Sequence, residues 1–157
     1  MNDAFFWEII ASFNWKRVGD DEAVMLPARK QLATMPEAEI FAFDNILSQK
    51  LHELDGELYA RACYGPAKNL RHISGDDFLY SRCCVVANGQ EFYDKVLRNP
   101  AAWPTEMEFE SLLYLPSRAY ARKKKCDESD YPHIPPVSAE TGSNTRDWPQ
   151  NLRGHSV

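Results

Sequence analysis

The residues best placed to do chemistry lie in Ser74-Gly75-Asp76-Asp77-Phe78-Leu79-Tyr80-Ser81-Arg82, a stretch closed by Asn88-Gly89-Gln90. Two carboxylates, a phenol and a guanidinium fall within two helical turns. Asp76 and Asp77 invite an acid/base role. Adjacent helical residues point about 100° apart, however, so the two do not form a carboxylate pair by themselves. In the first turn behind a serine cap, acids stabilise the helix N-terminus, and this is the plainer reading of both. Asp77 is also a candidate for burial against backbone N–H groups. Arg82 shares a face with Phe78 and Val85, where a guanidinium must be paired or reach solvent. Asp77 is one candidate partner, and Glu57, Glu108 and Glu110 are others. An internal structural ion pair is preferred; if the pair lines a groove, it becomes a recognition site.

Nucleophilic chemistry finds weaker support. Cys83 and Cys84 have no sequence-local histidine; His72 is the nearest, across the loop before Ser74. A Cys–His pair needs proximity only in space, yet buried structural cysteine is the simpler expectation. Ser81 lacks the glycine elbow of a hydrolase. No phosphate-binding glycine loop, dinucleotide fingerprint, EF-hand or HExxH motif is present. Cys63, Cys83, Cys84 and Cys126 have neither a disulfide-framework pattern nor metal spacing with His52, His72, His133 and His155. No cofactor and no metal are therefore expected.

The elements that must position these residues read as helices throughout. Asn2 or Asp3 caps a first helix whose apolar face is Phe5, Phe6, Ile9, Ile10 and Phe13. Gly19 breaks the chain, and Asp20-Asp21-Glu22 open a second helix carrying Val24, Met25, Ala28 and Leu32, with Pro27 early in it. Pro36 starts a long third helix with Ile40, Phe43, Leu47, Leu51, Leu54 and Leu58 at intervals of three and four, continuing through Tyr59, Ala62 and Cys63 to Gly65-Pro66. Ser74 to Asn88 is the fourth, 90–98 the fifth and 106–124 the sixth, with Pro116 kinking or dividing the last. The predicted class is all-α: a single compact bundle of about six helices over 1–125, followed by an irregular proline-containing tail over 126–157. That composition is that of a flexible tail, while Tyr131, Ile134, Val137, Trp148 and Leu152 argue equally for partial docking on the body.

Length and charge narrow the function. The chain has 157 residues, enough to bury a core without staples. Its formal net charge is −5, and the short basic run 122–125 sits where a helix end favours cations. Nucleic acid is not the expected partner. No secretory leader is expected, because Asp3 and Glu8 flank and interrupt the apolar start. No apolar run approaches the length of a membrane span, and the cysteine usage suits a reducing cytoplasm.

Four segments together resemble the domain of unknown function 4240 family. They are Phe5-Phe6-Trp7-Glu8-Ile9-Ile10; the leucine-spaced helix led by Glu39-Ile40 and Phe43; the Ser74–Arg82 stretch with Asn88-Gly89, Tyr93, Leu97 and Asn99-Pro100; and Phe109-Glu110-Ser111-Leu112-Leu113 with Ala119-Tyr120. The third is similar to the family pattern S-x-D-x-F-x-Y-F-R-x-W-L-I-x-x-G. The chain departs from it at Ser81, Cys83 and Cys84, where larger side chains are usual, which implies altered packing beneath the motif. The resemblance covers about 5–124. It implies a helical bacterial cytoplasmic domain and carries over no catalytic residue. Domains of this type resemble small acidic proteins found beside polymorphic toxin genes. The expected function is therefore immunity: a monomeric protein that binds a cognate antibacterial toxin domain and occludes its active site. The candidate binding residues are Asp76, Asp77, Tyr80, Arg82, Glu108 and Glu110. The competing expectations are an enzyme with a site around Asp77, Arg82 and His72, and a regulatory interaction domain.

Overall fold

The computed structural model describes residues 1–152. Among them are seven α-helices and no strand: α1 Asp3–Ala11, α2 Asp21–Thr34, α3 Glu37–Glu53, α4 Glu57–Tyr64, α5 Gly75–Ala87, α6 Gln90–Arg98 and α7 Leu115–Lys124, joined through short 3₁₀ turns. The all-α expectation holds. The extra helix arises because the long third helix is really two. The amides of Leu54 and Asp55 bond back three residues, to the carbonyls of Leu51 and His52, and so tighten the end of α3. Gly56 then takes an extended conformation and opens α4. Leu58, expected to continue the buried face, is 63% exposed. The expected sixth helix is also divided: a 3₁₀ turn, Glu110–Tyr114, precedes α7. Pro116 sits in the first turn of α7, where no amide is needed. Pro27 corrects the sequence reading, because it lies inside α2 and removes an interior hydrogen bond.

The chain forms two compact units. The first comprises 1–47 and 111–136. Asn2 accepts the Phe5 amide at 2.9 Å to start α1, and Asp20 accepts the Ala23 amide at 3.0 Å to start α2. Phe6, Ile9, Ile10, Val24, Met25, Ala28, Leu32, Ile40, Phe43 and Leu47 are buried together with Leu112, Leu115 and Ala119. The rings of Phe6 and Phe43 meet at 4.8 Å. α2 and α7 pack side by side, and Arg118 on α7 pairs with both Glu22 and Glu128. The chain leaving α7 is held to α3. Tyr131 donates its hydroxyl to Asp44 at 3.1 Å, His133 Nε2 meets Asn45 Oδ1 at 2.7 Å, and the His133 ring stacks on Phe41 at 4.7 Å. Ile134, expected to dock, is 86% exposed.

Asp44 makes the first unit pH-sensitive. Burial pushes its carboxyl from 3.8 up to about 6, against smaller lowering effects of the Tyr131 hydrogen bond and the nearby His133. The folded state thus holds this proton more tightly than the unfolded chain. The stabilisation is complete below pH 3.8 and is lost as pH rises through about 6. A shift of this size corresponds to about 3 kcal/mol. Asp44→Asn, which keeps an acceptor for Tyr131, is expected to flatten the stability curve across this window and to exceed the parent at pH 7. Urea unfolding at several pH values checks this; parallel curves for the two proteins would contradict it.

The second unit comprises 48–110 and, among the described residues, 137–152. α5 is its central element. Phe78, Leu79 and every residue from Ser81 to Ala87 are buried, so this helix is enclosed nearly all round. Its start is as the sequence implies: Ser74 Oγ accepts the Asp77 amide at 3.1 Å. Gly89 takes φ +91 at its end, where α6 begins. α6 packs against α5, and Tyr93 reaches from it to the Lys50 carbonyl and to Glu53. Of the expected tail, Trp148 and Asn144 are buried in this unit. Residues 153–157 of that tail, with His155, lie outside the described ones.

Candidate functional site

Two polar sites in the second unit divide the residues that the sequence singled out. The inner one is built around Arg82, which is fully buried and lies 4.9 Å over the Phe78 ring. Its ion-pair partner is Asp55 at 4.0 Å, also fully buried. None of the partners expected from sequence, Asp77, Glu57, Glu108 or Glu110, takes that place. Glu57 is engaged by Arg61 at 2.6 Å, and the other three are exposed. The reason is the break between α3 and α4. It turns Asp55 inward at a position that a continuous helix would have assigned no special role. Arg82 also donates to the Leu51 carbonyl at 2.9 Å and to Thr141 Oγ1 at 2.8 Å. Burial lowers its pKa, and the Asp55 charge opposes that shift. The expected internal ion pair is therefore present, with a different acid.

The outer site is a groove of about 130 Å³ lined by Cys63 and Tyr64 from α4, Asp77 and Ser81 from α5, and Glu106, Met107 and Glu108 from the connection that follows. The Phe109 amide donates to the Tyr80 carbonyl at 3.0 Å and pins that connection against α5. Glu106 adopts the left-handed conformation at φ 60, which a non-glycine residue takes only when its surroundings enforce it. The floor is apolar and neutral. Burial raises the pKa of the Cys63 thiol and of the Tyr64 phenol. Ser81 Oγ accepts from Trp103 Nε1 at 2.9 Å and from the Cys63 thiol at 3.5 Å. The buried Trp103 indole is thus tied directly to the small Ser81 side chain of the motif. The rim is charged. Asp77, Glu106 and Glu108 are exposed, and none forms an ion pair among the described residues.

Of the six candidate binding residues, the fold brings Asp77 and Glu108 together at this groove. Tyr80 contributes through its carbonyl, Asp76 and Glu110 are exposed but do not line it, and Arg82 belongs to the inner site. Cys63, Tyr64, Ser81, Glu106 and Met107 were not among the candidates. The Glu106-Met107-Glu108 triplet was the available signal, since an exposed methionine between two acids is unusual in a core-forming pattern. His72, proposed for an enzymatic site, is exposed at the end of a 3₁₀ turn. Cys83 and Cys84 are buried, and burial raises the pKa of both thiols, which fits the structural role expected of them.

Among the described residues the fold is all-α, and the second unit holds a groove with a charged rim and a buried ion cluster beneath α5. The chain belongs to the family of proteins of unknown function DUF4240, whose family model matches residues 1–122. No curated protein matches the chain. No solved structure matches it either. Among the described residues, no helix is long and apolar enough to cross a membrane.

Proposed function

We propose that this protein is an immunity protein that binds a cognate antibacterial toxin domain and neutralises it by covering the toxin's active site. One observation carries the reading: the groove presents three carboxylates that form no ion pair among the described residues, Asp77, Glu106 and Glu108, around an apolar floor and a 54% exposed Met107. An apolar slot with an anionic mouth suits a lysine or arginine side chain, whose stem is apolar and whose tip is cationic. Methionine adapts its shape to a partner at little cost. The formal net charge of −5 adds long-range steering toward a basic partner. In this reading the protein acts as a monomer in the bacterial cytoplasm, where the toxin would otherwise strike its own producer.

The direct test is co-expression with the product of a toxin gene ending immediately upstream, followed by affinity purification. Co-purification that persists at micromolar concentrations supports the reading. Two proteins that separate under those conditions would remove it.

A further inference from the structure

We infer that residues 138–148 are a ligand carried by the chain itself, seated in a peptide-binding cleft of the second unit, and that this cleft accepts an equivalent peptide supplied from outside. The cleft shares no lining residue with the acidic groove and does not depend on toxin binding.

Its anchor is the buried Asp55 carboxylate. It accepts the Gly142 amide at 3.0 Å, the Asn144 amide at 2.9 Å, the Trp148 indole N–H at 2.8 Å and the Ser143 hydroxyl at 3.4 Å. Near-consecutive backbone amides converging on one anion form a nest, and the turn that aims them has Gly142 at φ +87. Arg82 supplies the opposite pole by donating to Thr141, whose hydroxyl donates onward to the Gly75 carbonyl at 2.7 Å. His52 holds both ends of the turn: its Nδ1 meets the Ser138 carbonyl at 3.0 Å, and its carbonyl accepts from the Asn144 amide side chain at 3.2 Å. The Glu57 amide donates to the Asp147 carbonyl at 3.0 Å. Beside it, a Cβ on Gly56 would lie 2.9 Å from Asp147 Cβ, so only a bare floor admits the segment. The Trp148 ring meets Phe78 edge-on at 6.1 Å.

Two facts give the segment the character of a ligand. It contains no helix of its own and is held by contacts to the cleft as well as by local turns. All the receiving groups lie within residues 51–82, inside the family match to 1–122, whereas the segment lies wholly beyond it. The groups that it presents are main-chain N–H and C=O, small polar side chains and one indole. Any peptide with a glycine turn followed by an aromatic N–H donor offers the same set.

The test uses the full chain with a specific protease site inserted between Ile134 and Pro135, at the exposed position, and cleaved after folding. The probe is a fluorescein-labelled synthetic peptide spanning 137–152, followed by anisotropy. Expected is saturable binding to the cleaved chain at micromolar concentration or below, no binding to the uncleaved chain, and at least tenfold weaker binding of probes carrying Asn144→Ala or Trp148→Ala. If the labelled peptide fails to bind, whether the native fragment stays or leaves, the inference is overturned. Loss of helical circular dichroism on cleavage would overturn it too, since the segment would then be part of the folding unit and not a ligand.

Discussion

Replacing Asp55 by alanine will lower the unfolding free energy by about 4 kcal/mol, within the range measured when one partner of a buried ion pair is removed. Two costs arise together. Arg82, fully buried, loses its counter-charge. Its Nε is already without a hydrogen-bond partner, so the surroundings have no spare acceptor to offer. The amides of Gly142 and Asn144 and the Trp148 indole lose the acceptor on which they converge, and each unpaired buried donor costs about 1–3 kcal/mol. The losses overlap, because the segment can move outward and let water reach its amides, so they do not add in full. Domains of this size have about 5–15 kcal/mol in total, so the variant will sit near the threshold of folding. Urea unfolding measures the loss. Asp55→Asn keeps one carbonyl acceptor and should fall between parent and alanine. Combining Asp55→Leu with Arg82→Met removes the charge together with its partner and should recover part of the loss. A cost below about 1 kcal/mol for Asp55→Ala would mean that the cluster does not hold the segment.

The second large effect is on association. Reversing the rim through Asp77→Lys, Glu106→Lys and Glu108→Lys is expected to slow association with a basic toxin domain by about a hundredfold at low salt, as charge at an interface acts chiefly on the on-rate. All three side chains are exposed and form no ion pair among the described residues, so helical content and unfolding midpoint should change little. Asp77 supports the start of α5, and its replacement alone carries a helix-dipole cost of about 0.3–1 kcal/mol. The difference between parent and variant should shrink as salt rises, because exposed charges are screened beyond about 10 Å at 0.1 M. Stopped-flow association across a salt series checks both points. An unchanged on-rate at low salt would place the contact surface elsewhere on the molecule.

The helical class was legible because its signals repeat. Ile40, Phe43, Leu47, Leu51 and Leu54 recur at helical spacing, and all five are buried. The same spacing led one residue too far. Leu58 keeps the period but falls beyond a break that the tightened turn at Leu54 and Asp55 creates. Periodicity records where a helix would face if it continued; it does not record whether it continues. Gly56 carries the clue, since a glycine there leaves room for Asp147.

By itself the sequence determined the helix starts and stops around the Ser74–Arg82 motif, the place of Arg82 on an apolar face where it must pair or reach solvent, and the family to which the chain belongs. These follow from contacts within a few residues, where spacing along the chain is spacing in space. Tertiary structure alone decided that the acid is Asp55, that Thr141, 59 residues beyond Arg82, completes its coordination, and that Asp77 and Glu108 share a groove whose floor comes from α4. Such pairings depend on where the chain turns back on itself. A side chain's polarity states that a partner is required, and only the folded path states which partner arrives.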